Sequence, residues 1–374
     1  MSLLGFPDDS LELLSEGEAL AKELGNGRVL ARFYSGLGIY HSHKGQHAKG
    51  VEYSEKGFEE ARNIEDIELM TSLAFELCTS YFGSGEFYKI VEAAQSVLHL
   101  LEKTKIQHES LGKLVSIYPT LYAYYGNSMG QLGKFREGII FCEKGLCTAP
   151  QDDLRTLGLC ELLYGYLLTT KGDGKPAIEH FQKCIEYVGD MKWVFISALA
   201  WTGLGFSYLS LGDLETARKH IERGLSMQKA AGVEWWLSLH WCYLGQAHFY
   251  LGNLKDARSC VAEALKLAQT NNEKHAEAQA LYWMATILSQ TDRSEGGKAE
   301  NYILQGIKVS DQLRLKPLSS IGYLHLGRLY QVIGQREKAL ENLKKAEGMF
   351  RDMGMDQLIA RTQELLEYSE GHRE

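Results

Sequence analysis

Proline is scarce, five residues in 374, so the residue that most often breaks a helix is nearly missing. With Ala, Leu, Glu and Lys abundant, the chain is predicted to be almost wholly helical. No run of 18 apolar residues occurs, which counts against a membrane-spanning helix. The opening MSLLGFPDDS has neither a cationic region nor an apolar one long enough for a signal peptide. A basic excess is lacking too: the net charge of −8 offers no field for phosphate backbones, so nucleic acid is not the expected partner and neither is a membrane. Seven cysteines form no CxxC pair, and most fall at helical apolar positions where a reduced thiol packs as a small hydrophobe. Neither disulfides nor zinc are expected, and the predicted location is the cytoplasm.

What the chain does have is a period. LGFSYLSLGDLETAR from Leu204, LGQAHFYLGNLKDAR from Leu244 and LGRLYQVIGQREKAL from Leu326 share one layout. Aligned on the glycine of the central turn, the units fall at Gly45, Gly85, Gly133, Gly172, Gly212, Gly252 and Gly334. The last interval is two periods long, and the missing unit lies between Ala276 and Asp311, where SQTDRSEGGKAE supplies a longer turn. Eight units follow.

Each unit reads as two amphipathic helices, since apolar and small residues recur at three- and four-residue steps on both sides of the turn. In the fifth unit Trp201, Leu204, Gly205 and Tyr208 occupy the first helix, with Ala217, Ile221 and Gly224 on the second. Trp241, Leu244, Gly245 and Ala257 repeat this in the sixth, and Tyr323, Leu326, Gly327, Tyr330 and Ala339 in the eighth. These positions resemble the tetratricopeptide repeat, TPR, in which a small residue lets two backbones approach and aromatics fill the remaining space. The resemblance implies an all-α, right-handed TPR superhelix of about eight hairpins with one extended concave surface. The period of ~40 residues exceeds the usual ~34, so longer helices and a deeper groove are expected.

Residues 1–27 read as the second helix of a repeat whose first helix is missing, residues 28–354 as eight repeats, and residues 355–374 as a capping helix and tail. The chain is thus expected to open in mid-repeat. Pro119 interrupts the third unit and either kinks a long helix or starts a shorter one; the kink is expected, because Leu111, Leu114 and Ile117 extend the apolar face upstream.

KAENYILQGIKVSDQLRLKPLSSIGYLHLGRLYQVIGQREKALENLKKAEGMFRDMGM resembles the C-terminal end of large bacterial signalling proteins. Those proteins join a class III adenylate/guanylate cyclase region, an AAA-type ATPase and a TPR tail. Lys298-Ala299-Glu300, Leu326-Gly327, Gly334 to Ala339 and Phe350 to Met355 carry the likeness, and YAYYGNSMGQLGKFREGIIFCEKGL resembles their middle region. The cyclase and ATPase motifs of such proteins lie upstream and are not found here. The resemblance implies a regulatory, partner-binding tail attached to upstream cyclase/ATPase domains if the chain is a fragment; the alternative is a free-standing TPR sensor for a small signalling peptide.

Chemistry-bearing motifs are weak. KGDGKPA and EGGKAE lack the GxxxxGK[ST] spacing and a preceding strand. His41, His43 and His47 in HSHKGQH are expected to be exposed turn residues rather than metal ligands. Neither GxSxG nor HExxH occurs. No catalytic residue, metal or cofactor is expected, and the chain is read as a non-enzyme.

A protein or peptide ligand in the groove is the expected partner. The inward stripe of the first helices places Phe75, Phe82, Tyr166, Phe206, Phe249 and Tyr282 as apolar contacts and Asn127, Gln246 and Arg328 as hydrogen-bonding ones. The competing reading packs many of these side chains inside a narrow superhelix. Trp201 and Trp241 hold core positions of the repeat, whereas Trp235 and Trp236 fit either the mouth of the groove or an exposed pair on the opposite face.

Overall fold

The computed structural model describes residue 7 and residues 9–105, 114–191 and 193–371. Among these there are eighteen α-helices and no strand. α1 (Ser10–Glu23) precedes the first hairpin. The hairpins begin with α2 (Gly27–His43) and α3 (His47–Asn63), α4 (Ile67–Ser84) and α5 (Phe87–Thr104), α6 (Ile117–Gln131) and α7 (Phe135–Thr148), and α8 (Leu154–Lys171) and α9 (Gly174–Val188). They continue with α10 (Val194–Ser210) and α11 (Leu214–Ala230), α12 (Leu237–Tyr250) and α13 (Leu254–Thr270), α14 (Lys274–Thr291) and α15 (Gly296–Gln312), and α16 (Lys316–Val332) and α17 (Arg336–Met353). α18 (Asp356–Gly371) closes the stack. The eight predicted hairpins are therefore present.

The turn glycines explain the regularity. Each of the seven aligned glycines has positive φ, from 71° at Gly45 to 99° at Gly172, so the chain reverses where a side chain would clash with the backbone. The seventh hairpin has no such glycine; Asp292 and a short 3₁₀ turn over Arg293–Glu295 make the connection, with the Asp292 carboxylate accepting from the Ser294 amide at 2.8 Å. Several helix starts are fixed by a side chain one residue outside: Asp66 accepts from the Leu69 amide and Asp153 from that of Thr156.

Within a hairpin the backbones touch at small residues. A Cβ placed on Gly126 of α6 would fall 2.6 Å from the Gly138 carbonyl oxygen and 2.7 Å from the Cys142 amide nitrogen of α7. Between hairpins the contact is a ball in a socket. Phe181 of α9 is fully buried between Gly165 of α8 and Gly203 of α10, whose missing side chains leave room for the ring. Burying one such ring contributes about 1.5–3 kcal/mol. Repeated along the stack, these contacts give one core cluster that runs from Val51 to Leu366. Six of the seven cysteines are buried, and only Cys147 is exposed.

Pro119 does not kink a long helix. α6 starts at Ile117, after Ser116 in extended conformation, so Pro119 sits in the first turn, where no intrahelical partner awaits its missing N–H. Leu114 precedes the helix and is half exposed, and Leu111 lies outside the described residues. The predicted core tryptophans sit at the edge of the core instead of its centre: Trp201 is capped by the Arg223 guanidinium at 3.7 Å and Trp241 by the Lys229 ammonium at 4.1 Å.

The backbone contact at Gly126 generates a stability prediction. Gly126→Ala adds helix propensity of ~1 kcal/mol, yet it drives a methyl into the backbone of α7, so a net loss of about 1–3 kcal/mol is expected. Urea unfolding at neutral pH measures it, and an unchanged or raised midpoint would show that the two helices can separate freely.

Candidate functional site

The first helices of the hairpins face the superhelix axis, and the stack curves tightly enough to meet itself. A Cβ on Gly45, in the first hairpin, would stand 2.5 Å from the Asn271 amide nitrogen, after the sixth. Gly85 and Phe87 lie against His275 in the seventh, and Gly133 lies against Met353 and Lys316 in the eighth. Gly172 in the fourth approaches Gln357 and Leu358 of α18. Hairpins about five apart are therefore in contact, and the groove is a closed channel.

A buried polar cluster seals the first of these contacts. Glu273, 1% exposed, accepts from the Trp236 amide at 2.8 Å and from the Ser238 hydroxyl, and its Oε1 lies 3.1 Å from His47 Nε2. The Glu234 amide donates to the His43 carbonyl at 3.0 Å. His41 and His47 are buried and His43 is half-buried, so the HSHKGQH histidines are not exposed turn residues. Their turn is pressed against the far side of the superhelix. Among the described residues no group of three or more His, Cys, Asp or Glu is placed to hold a metal.

Trp235 and Trp236 stand in the middle of the channel, 4% and 2% exposed, at neither of the places their sequence position offered. Trp236 has φ 58° and ψ 16°, a left-handed conformation that costs a bulky residue of order 1–3 kcal/mol. Its surroundings hold it there. The indole Nε1 donates to the Gly83 carbonyl at 3.2 Å, and the ring lies 4.6 Å from Phe82, 5.8 Å from Tyr166 and 6.0 Å from His275, centre to centre. Trp235 stacks on it at 5.5 Å and meets Phe195 at 4.8 Å. Gln228 of α11 donates to the Trp235 carbonyl at 2.5 Å.

This aromatic pair stands between two chambers. The larger, about 700 Å³, lies among the first, second, fourth and fifth hairpins, with Phe75, Phe82, Leu162, Phe195 and Trp235 among its walls. Arg28 also lines it and pairs with Asp66 at 2.9 Å. The smaller, about 200 Å³, has Trp236, Tyr166, Phe206, Gln246, Tyr282 and Arg328 in its wall.

The predicted contact residues divide accordingly. Phe75 and Phe82 line the larger chamber; Tyr166, Phe206, Gln246, Tyr282 and Arg328 line the smaller. Asn127 lines neither: it is fully buried and spends its amide on the Leu163 carbonyl at 2.8 Å. Phe249 also lines neither, because it turns toward Tyr250 and Trp283 in a separate core cluster. Sequence reasoning missed His275, His325 and above all Arg361, which α18 brings to the smaller chamber from outside the repeat stripe.

Burial holds three histidines neutral, two of them, His275 and His325, in the wall of the smaller chamber. His240 and His325 are lowered to about 3 and His275 to about 4, by desolvation in each case and, for His325, also by the charges of Arg328 and Arg361.

Residues 196–270 match the family model described as tetratricopeptide repeat. The chain is a tetratricopeptide-repeat solenoid. No curated protein sequence matches it. Among solved structures, a Rap protein complexed with competence and sporulation factor aligns over 91% of this chain and 98% of its own, with a TM-score of 0.55 at 12% identity. A signal transduction ATPase with numerous domains from Pyrococcus horikoshii, which carries a tetratricopeptide repeat sensor, aligns over 90% of this TPR chain and 52% of its own, with a TM-score of 0.51 at 15% identity. At these identities the likeness is one of fold.

Two predictions follow from the closed channel of this TPR solenoid. Trp236→Ala removes the Gly83 bond and the ring contacts between hairpins, and is expected to cost about 3–5 kcal/mol and to raise the radius of gyration in solution scattering. An unchanged radius with unchanged stability would mean that the pair does not hold the turn closed. The histidines set a pH dependence. An unfolded imidazole takes up its proton near pH 6.5, whereas these stay neutral down to about 3 to 4, so the unfolded state binds more protons in between. Their contribution is present above pH 6.5 and lost as the pH falls toward 3, on the order of 2 kcal/mol for each by pH 5. Urea midpoints from pH 7 to 5 should fall, and H325Q should remove part of the fall.

Proposed function

We propose that this chain is a non-enzymatic, cytoplasmic interaction module that encloses a short peptide, either a free signalling peptide or an extended segment of a partner protein, in the interior of its superhelix. The observation that carries the reading is the pair of chambers on the axis. Both walls combine aromatic faces with guanidinium groups, and the smaller adds the amides of Gln246 and Gln279, so apolar and hydrogen-bonding contacts of the kinds that hold an extended peptide are both present. A chamber of about 700 Å³ suits a few residues of chain, far less than a folded domain. Among the described residues no helix is long and apolar enough to cross a membrane.

The tight enclosure favours a small ligand, and the Rap protein of similar fold has been crystallised in complex with competence and sporulation factor. That supports a peptide sensor. A second reading makes the chain the sensing region of a larger cyclase/ATPase-type protein, and the likeness to an ATPase that carries a TPR sensor supports it. Both assign the interior to the ligand and differ in what the bound state controls.

Peptides selected by display on the purified chain test the reading. Phe206 is half-buried and stacks on Tyr243 of the next hairpin at 4.0 Å, so F206A/Q246A opens the smaller chamber at the cost of one ring contact between hairpins and leaves the glycine crossings within hairpins intact. F75A does the same for the larger. A selected peptide should lose about 2 kcal/mol or more, roughly 30-fold in Kd, in one of the two variants, with circular dichroism and Tm near those of the parent. Equal binding to both variants would place the ligand outside the channel.

A further inference from the structure

The smaller chamber is lined by two arginines and two histidines and, among the described residues, by no carboxylate. Arg328 enters from α16 and Arg361 from α18, elements that meet only because the capping helix folds back on the last hairpin. Arg361 donates to the Tyr250 hydroxyl at 2.6 Å. Arg328 is repelled by Arg361 and favoured by a hydrogen bond to the Tyr250 phenol; no acidic residue is among the groups that act on it. Four arginines elsewhere do have acidic partners: Arg28 has Asp66, Arg62 has Glu59, Arg218 has Glu215 and Glu222, and Arg351 has Glu347.

Two half-buried guanidiniums facing one chamber without an acidic partner repel each other and forgo part of the solvation that exposed arginines keep. Both remain cationic at neutral pH. Their field reaches the neighbouring groups. Burial acts to raise the Tyr250 phenol, yet the charges of Arg361 and Arg328 outweigh it and hold the group below its ordinary value. His325 is held neutral by burial and by the same two charges, and burial alone holds His275 neutral, so neither adds charge at neutral pH. The chamber presents two positive charges, planar donor forks, the amides of Gln246 and Gln279, and aromatic walls.

We infer that Arg328 and Arg361 form the receptor for a compact oxyanion, a carboxylate or a phosphate, borne at the end of the ligand that fills the smaller chamber. A guanidinium fork matches either oxyanion in two parallel hydrogen bonds, and two forks neutralise one or two negative charges. The aromatic walls, with Phe206 stacked on Tyr243, take the apolar group beside the anion. About 200 Å³ admits such an end and little more, so the rest of a longer ligand must continue outside this chamber. The inference rests on the reading of the interior as a ligand site.

Calorimetry and thermal melting of the whole chain with three probes test it: N-acetylphenylalanine, its amide, and phenyl phosphate, at matched ionic strength. The acid or the phosphate should bind and raise Tm with concentration, and the amide should do neither. The anion that acts identifies the source, a peptide-like carboxyl end or a phosphoryl group. R328M/R361M should weaken that binding at least about tenfold while melting no lower than the parent, because the like-charge pair is gone. The conservative R328K/R361K keeps the charge and should retain part of the binding. The inference is overturned if neither anion binds, if the amide binds as well as the acid, or if R328M/R361M binds the anion normally. The acid and amide comparison uses the unaltered protein, so a variant that fails to fold leaves it decisive. Should F75A or F206A/Q246A lose a selected peptide while all three probes stay silent, the anion site alone falls; should binding escape every variant, the interior reading falls with it.

Discussion

Contact between helix backbones is the constraint on which the structure rests. Gly38 meets Gly50 and Ser54, Gly126 meets Gly138, Gly205 meets Ala217, and Gly224 meets Thr202, each at a distance that leaves no space for a larger group. A hairpin held this closely is thin at the crossing and wide where aromatics fill the flanks, so stacked hairpins fan by a small angle at each step. Summed over about five steps, the fan brings the stack back on itself. The channel and its two chambers follow from that closure, since a gentler fan would leave an open groove.

Closure also creates the electrostatic character of the interior. Where the first hairpin meets the turn after the sixth, a carboxylate is taken out of water, a change that is costly unless every lone pair finds a donor. Glu273 finds donors in the Trp236 amide and the Ser238 hydroxyl and faces the His47 ring, so this carboxylate is partnered within the chain. In the smaller chamber the arrangement is the reverse. Arg328 and Arg361 meet near Tyr250 with no acidic residue in the chamber wall. The buried carboxylate has its partners within the chain, and the arginine pair receives its counter-charge from a ligand in the reading favoured here.

Much of the fold was legible because it is local. The turn glycines, the small residues at crossings and the aromatic positions recur every ~40 residues, and each acts on neighbours within its own hairpin or the next. Pro119 was misread because the upstream apolar residues Leu114 and Ile117 resemble a continuing helix face, whereas the chain enters α6 from an extended Ser116. The stripe rule put Phe75, Phe82, Tyr166, Phe206, Gln246, Tyr282 and Arg328 along the chambers, yet it also included Asn127 and Phe249, which the packing of adjacent helices had already consumed.

By itself, the sequence determined the helices, the eight hairpins and the order in which they stack, since those depend on propensity, turn chemistry and contacts between near neighbours. Tertiary structure alone decided what the inner face encloses. His47 and Glu273 are 226 residues apart, Trp236 and Gly83 are 153 apart, and Arg361 and Tyr250 are 111 apart. No period in the chain announces such pairs, because they arise from the accumulated rotation of many hairpins, and a small change per hairpin would move every one of them apart.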